Sequence, residues 1–353
     1  MLAPVSHNLA LTTILRTKVL PVSGKVVARL NQRVLATTVI AEAEYSYQHH
    51  LIDVARRLDI KPAAAEKKLS NIRVGQHLSE GTVIATGGGL IPNVVKVEKS
   101  GRVVAIGGGQ LLLDTSEKEM TLRAGMSGEV IEIIEKRGVK IQEVGALVQG
   151  VWGNGRINSG TLHVLAKDPA HVLEAGQVDI SLRSYVLLAG SCQDAESLKS
   201  AAEITVRGLI LSSLHPSLLG LARKMPYPIV VTDAIGKAPM NADAYKIIST
   251  NDQRENVTVN AEAYHRYKGT RPEVIIPLPH SDLPPEPRDV ETFAPGQTVR
   301  ILRAPHGGAT GTLVNLPAER KTLANGLRVE AGEVKLKNGE QILVPLVNLE
   351  VLG

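Results

Sequence analysis

Apolar positions along this chain follow two rhythms. From the N-terminus to about residue 165, short runs of Val, Ile and Leu alternate with glycines. One hexad recurs there: Ser23-Gly24-Lys25-Val26-Val27-Ala28, then Ser100-Gly101-Arg102-Val103-Val104-Ala105, then Ser127-Gly128-Glu129-Val130-Ile131-Glu132. Each copy sets a glycine ahead of a β-branched run, which reads as a turn entering a strand. The spacing between copies is irregular, which argues against a solenoid, and short strands with glycine turns predict a sandwich or barrel. Residues 45–70 interrupt this rhythm. Leu51, Ile52, Val54, Ala55 and Leu58 have helical spacing and Pro62 suits the start of a second helix, so a helical insertion is expected.

From about residue 180 strands and helices are expected to alternate. Strands are predicted over 185–189, 208–211, 229–232 and 257–259, with helices over 194–203, 217–224 and 241–249 between them. That alternation predicts a parallel sheet with covering helices over 166–276. Prolines at 272, 277, 279, 284, 285, 287 and 295 then mark an extended linker over 277–294. The expected fold is thus multidomain α/β plus all-β. It comprises a β-rich barrel-sandwich-like domain over 1–165, a central parallel α/β domain over 166–276, and a small SH3-like β-barrel over 295–353.

In an open parallel sheet, ligands bind beyond the carboxyl ends of the strands, where helix N-termini favour anions. Three loops are expected there: Gly190–Cys192, Ser212–Pro216 and Thr232–Pro239. The candidate ligand residues are Ser191, Ser212, His215, Asp233, Gly236 and Lys237, and the expected ligand is a small anion or nucleotide. Helix capping is the competing account, with Ser191 or Asp194, Ser213 and Asn241 as caps and Pro216 and Pro239 near first helical turns. Lys237 separates the two accounts, because a lysine gains nothing at a helix N-terminus.

Composition narrows the chemistry. Aromatics make up 3% of 353 residues, so the cores must be aliphatic. The single cysteine, Cys192, excludes an intrachain disulfide framework and any CxxC zinc cluster, and suits a reducing cytoplasm. The N-terminal apolar run is broken by Thr12, Thr13, Arg16 and Lys18, so neither a secretory signal nor a membrane span is expected. No nucleophile, zincin or phosphate-loop motif occurs, and the reading leans away from an enzyme and from any cofactor. The net charge of +5 sits near the front, since residues 1–80 hold 11 Lys/Arg against 6 Asp/Glu. Any weak nucleic-acid contact is expected there.

Three resemblances add to this. The segment Gly296–Val314, with Pro305, His306, Gly308 and Gly311, resembles the KOW motif of transcription elongation factors and ribosomal proteins. It is followed by a hairpin about Asn338-Gly339 and a closing strand. The resemblance implies a small β-barrel and a protein or RNA partner. The turn holds Gly307, Gly308 and Ala309 where nucleic-acid-binding members often carry cations. Residues 18–150, through the pattern Pro-x-x-Gly-x-Val, resemble the barrel-sandwich hybrid fold of biotinyl and lipoyl carriers. No lysine sits at a hairpin tip to be modified, because Lys67 and Lys68 fall in a predicted helix. The layout of 185–250 is similar to small α/β modules of the DRTGG type, without their named motif. Together these point to a non-catalytic binding or scaffold protein.

Overall fold

A computed structural model describes residues 2–45, 48–88, 93–115, 118–265, 270–288, 290–323 and 325–353. The protein is mostly β, with 46% of residues in strands and 13% in helices, which overturns the expectation of a central parallel α/β domain. The strands predicted at 185, 208 and 229 do form, as Tyr185–Cys192, Gly208–Leu214 and Ile229–Ile235, and they are parallel to one another. They are one end of a mixed sheet. Ile157–Val164 adds in parallel beside Tyr185–Cys192, but its other neighbour, Val257–Asn260, runs antiparallel. Antiparallel pairing then continues through Glu273–Pro277 and Gly138–Gln149 to Gly128–Ile134.

The physical reason is the strand Gly138–Gln149. Its 12 residues are almost all buried, and it is long enough to pair along its whole length with Asn8–Val19 while its second half also pairs with Glu273–Pro277. A strand buried on both faces extends whichever sheet it joins. Here it draws strands from the front, the middle and the Pro-rich region into one sheet. Two aliphatic cores lie on its two sides around the parallel strands. One is built on Leu187, Leu209, Leu211 and Val231, the other on Val186, Leu188, Ile210 and Val230. Alternate residues of the same strands supply the two cores, as a pleated strand requires.

The region expected as a helical insertion is half strand. His49–Asp53 pairs with Gln110–Asp114, and only Val54–Leu58 and Pro62–Lys68 are helical. Asp53 makes the switch: its side chain accepts from Arg56 N at 2.9 Å and caps the first helix. Residues 46 and 47 of the expected insertion lie outside the described residues.

The three hexads share a structural cause that differs from the turn read in the sequence. None of Gly24, Gly101 and Gly128 has a positive φ. A Cβ on each would stand within 3.0 Å of a carbonyl oxygen, that of Glu42, Asp114 and Gln142 respectively. In every copy that carbonyl belongs to the residue paired with the one after the glycine: Lys25 with Glu42, Arg102 with Asp114, Glu129 with Gln142. The glycines are therefore sites of close strand approach, where a side chain has no room.

The C-terminal sheet has seven strands. Thr298–Ile301, Thr310–Asn315, Ala331–Leu336 and Gln341–Pro345 form an antiparallel meander, and Leu349–Leu352 returns beside the first of them. The far side of Leu349–Leu352 is covered by Leu2–Ser6, in parallel. The core holds Ala3, Val5, Val299, Leu313, Val334, Leu349 and Val351 around Phe293, the only phenylalanine of the chain. Leu2–Ser6 thus joins the C-terminal sheet, and Val290–Thr292 pairs antiparallel on its other side as the edge strand. Among the described residues no helix is long and apolar enough to cross a membrane.

Candidate functional site

The strand Ile229–Ile235 ends in a loop that runs to the helix Ala242–Ser249. The C-terminal sheet presses its Pro305–Gly308 turn against this loop. Gly308 has φ +86°, and a Cβ there would stand 2.9 Å from the Ala234 Cβ. Only glycine provides both the backbone conformation and the approach. Gly311, the other glycine of the KOW-like pattern, obeys the rule of the hexads. Thr312 pairs with Lys335, and a Cβ on Gly311 would strike the Lys335 carbonyl. Pro305 is exposed and His306 half-buried, and the Ala309 N–H donates to the His306 carbonyl at 2.9 Å to close the turn.

Between the loop and the turn lies an open cleft of about 420 Å³, lined by Asp233, Lys237–Asn241, Gly307–Thr310 and Leu336–Asn338. Two of the sequence candidates, Asp233 and Lys237, line it together with Gly308 from the KOW-like turn.

The other candidates are placed elsewhere. Ser191 and Ser212 are buried. The Ser213 hydroxyl lies 2.9 Å from both Ser191 Oγ and the Ala238 carbonyl, and accepts from Ala238 N at 3.1 Å. Ser212 Oγ donates to the same carbonyl at 3.1 Å. These hydroxyls hold the wall of the cleft from behind. The Gly236 carbonyl accepts from Gln193 Nε2 at 3.4 Å, and its φ of +139° lets the loop leave the strand. His215 is exposed and caps the short helix Pro216–Leu218, with Nδ1 accepting from Ser217 N at 3.3 Å. Asn241 caps its helix as expected, accepting from Asp243 N and Ala244 N. Cys192 is fully buried, and burial pushes its thiol up to about 12, so no thiolate forms near neutrality.

Asp233 is buried, with 6% of its surface exposed, and burial raises its carboxyl above the usual range. Its oxygens accept from Thr232 Oγ1 at 2.6 Å and from Asn241 N at 3.1 Å. Arg300, also buried, reaches it from the C-terminal sheet, with Nη1 at 3.9 Å. Sequence reasoning missed Arg300. Its Nε donates to Glu350 Oε1 at 2.7 Å, Nη1 to the Thr232 carbonyl at 2.7 Å, and Nη2 to Ser6 Oγ at 3.0 Å. Arg271 adds a second cation, donating to Glu350 Oε2 at 2.9 Å. Two arginines therefore face two carboxylates, and this buried network needs no further charge.

Lys237 and Lys337 stand outside the hydrogen-bonded part of that network, with Lys337 acting on Asp233 only through space. Both are exposed, and neither forms a salt bridge or side-chain hydrogen bond among the described residues. Lys337 was missed although the adjoining Asn338-Gly339 turn was read correctly, because nothing in the sequence says that this turn faces residue 237. Asn338 is committed to its own turn, accepting from Glu340 N at 3.1 Å.

A second cleft, of about 410 Å³, lies beside the Pro-rich segment and includes Arg33, Glu143, Arg254 and His280. Glu143 is buried, burial raises its carboxyl, and Arg33 Nη2 donates to Oε2 at 2.8 Å. Among the described residues no group of three or more His, Cys, Asp or Glu side chains is arranged to hold a metal. The Gly-rich loop around Trp152 is structural. Its Asn154 donates to the carbonyls of Ala222 and Tyr227 and accepts from Ile229 N. No protein-family model matches the chain, and a search of curated proteins found no match either.

Proposed function

We propose that this chain is a non-catalytic binding protein that captures an anionic, phosphate-bearing group in the cleft between its mixed sheet and its KOW-like C-terminal sheet. The observation that carries this reading is the pair Lys237 and Lys337. Two lysines a hundred residues apart in sequence line one cleft, while the buried charges beneath them are already paired. Neither ammonium has a hydrogen-bonded or ion-paired partner among the described residues, although Lys337 favours the Asp233 carboxylate through space, and both are open to an anion. The protonatable groups around the cleft favour binding over catalysis. Asp233 has its oxygens engaged by Thr232 and Asn241, and the buried Ser213 is occupied by Ser191 and Ala238. A KOW-like tail would tie such binding to transcription or translation, through a protein or RNA partner.

The reading is tested on the full chain with inorganic phosphate at constant ionic strength. Ligand at about 100 times its Kd stabilises the folded state by about 2.7 kcal/mol. The wild-type melting temperature is expected to rise accordingly. Lys237→Ala and Lys337→Ala should each lose most of the rise while leaving the melting temperature without phosphate unchanged. A wild type that does not respond to phosphate overturns the reading.

A further inference from the structure

We propose that the ligand of this cleft is a linear chain of phosphates, a di- or triphosphate moiety recognised without its base, laid from Lys237 past Lys337 onto Lys335. This rests on the anion-cleft reading and extends it. An adjoining cleft, also of about 420 Å³, opens on the outer face of the C-terminal sheet and shares Thr310, Leu336 and Lys337 with the one beside Asp233. Lys337 therefore stands where the two meet.

The additional wall is built by strand register. Thr298 pairs with Thr312, and Thr312 pairs with Lys335. Directly opposed residues in adjacent strands share a face, about 4.8 Å apart per strand. Two hydroxyls and an ammonium thus stand in a row across three strands, all exposed. Lys337 opens the turn that follows the strand, two positions beyond Lys335, and both line this cleft. Like the other two lysines, Lys335 makes no salt bridge or side-chain hydrogen bond among the described residues.

The shape of this surface selects its ligand. A single phosphate can use the first cleft alone and leaves Lys335, Thr298 and Thr312 idle. A chain of phosphates meets three ammonium groups in succession, each a point charge that needs no fixed donor geometry. The threonine hydroxyls can donate to oxygens between them. No aromatic side chain lines either cleft, so a nucleobase has nothing to stack on, and base stacking is the term by which single-stranded nucleic acids are usually held.

Calorimetric titration of the full chain with orthophosphate, pyrophosphate, tripolyphosphate and adenosine triphosphate, at matched ionic strength, tests this. Affinity should rise along the inorganic series, by roughly tenfold or more from orthophosphate to tripolyphosphate, since each exposed charge contact contributes a few-fold. The nucleotide should bind no tighter than tripolyphosphate. Lys335→Ala should weaken tripolyphosphate about fivefold and leave orthophosphate unchanged. The same change at Lys321, an exposed lysine lining neither cleft, should alter nothing. Equal affinity for orthophosphate and tripolyphosphate would overturn the phosphate-chain proposal and leave the single-anion cleft standing. So would an equal loss of both ligands in Lys335→Ala, a comparable loss in Lys321→Ala, or tighter binding of the nucleotide. Failure of all four ligands to bind would remove both readings together.

Discussion

The two sheets that meet at the cleft use hydroxyl groups in opposite ways. At the ends of the parallel strands Ser191, Ser212 and Ser213 are buried, with Ser213 bonded to Ser191 and both Ser212 and Ser213 bonded to the Ala238 carbonyl. On the outer face of the C-terminal sheet Thr298 and Thr312 are exposed. Beyond the ends of Tyr185–Cys192 and Gly208–Leu214, where α/β sheets often place ligands, the space is filled by the protein's own side chains. The outer face of the C-terminal sheet is open. Hydroxyls near a strand end therefore do not mark a site by themselves. A buried hydroxyl must be satisfied within the protein, and only an unsatisfied surface is left for a ligand.

The contrast between buried and exposed polar groups sets an order of expected effects. The largest belongs to Arg300, which joins Glu350, Thr232, Ser6 and Asp233 in the interface between the sheets. Removing one partner of a buried ion pair leaves the other uncompensated and costs about 3–5 kcal/mol. Arg300→Ala should lower the urea midpoint accordingly. Arg300→Lys should rescue little, because one ammonium group cannot reproduce the guanidinium fork. A loss below about 1 kcal/mol would show that the sheets are held by their apolar cores alone.

Ser213 comes next. Its hydroxyl accepts from Ala238 N and lies against two further oxygens, so Ser213→Ala leaves several buried groups short of a partner, at about 1–3 kcal/mol. Because Ala238 lines the cleft, this variant should also weaken phosphate binding although Ser213 does not touch the cleft. Denaturation and phosphate titration of the same sample check both. Lost stability with unchanged phosphate affinity would separate the buried hydroxyls from the site.

Much of this was legible locally and little of it globally. The three parallel strands, the cap at Asn241 and the Asn338-Gly339 turn follow from short-range rules and all are present, whereas Asp194 rather than Ser191 and His215 rather than Ser213 cap the other two helices, and Gly308 and Gly311 answer to distant groups, the Ala234 Cβ and the Lys335 carbonyl. The sheet that holds them was not legible. Alternation of strands and helices over 185–250 is the same whether the sheet beyond is parallel or mixed. What decided it was the pairing of 138–149 with residues 8–19 and 273–277, a contact between distant segments. The site was half legible for the same reason. Lys237 could be singled out because a lysine ahead of a predicted helix gains nothing as a cap, but Lys337, which lines the same cleft, follows a strand of another sheet. Arg300 carried no signal at all, since a charged residue in a strand reads as solvent-facing until the fold encloses it.

A smaller, pH-dependent effect distinguishes the buried side further. Burial raises the Asp233 carboxyl above its ordinary 3.8, and Glu143 shifts in the same direction for the same cause. A folded state with a raised carboxyl pKa binds the proton more tightly than the unfolded state. The stabilising contribution of the protonated group is complete below the unfolded value and is lost as pH rises through the folded one. Asp233→Asn cannot titrate. Its stability relative to wild type should therefore improve as pH rises through that window, and then level off. Equilibrium denaturation of both proteins at several pH values gives the difference directly. A difference that moves the other way would mean that Arg300, Thr232 and Asn241 overcome desolvation and hold the carboxylate ionised.

The smallest expected effect on stability is the most informative about function. Thr298 and Thr312 face solvent as a directly opposed pair, and replacing both with alanine removes no buried bond. Exposed substitutions of this kind usually change stability by less than about 0.5 kcal/mol, although two β-branched residues in strands add a little to that. The double variant should thus unfold at nearly the wild-type midpoint, in contrast to Ser213→Ala, where one buried hydroxyl costs more than both threonines together. If the open face binds phosphates, the same variant should still weaken tripolyphosphate, because the two hydroxyls stand in a row with Lys335 in the adjoining cleft on that face. Replacing both with serine should restore that binding, since the hydroxyl is kept and only the methyl is lost. A threonine pair that matters for stability but not for tripolyphosphate would reverse the contrast between the two sheets, and the outer face would then be no more than the solvated side of a small sheet.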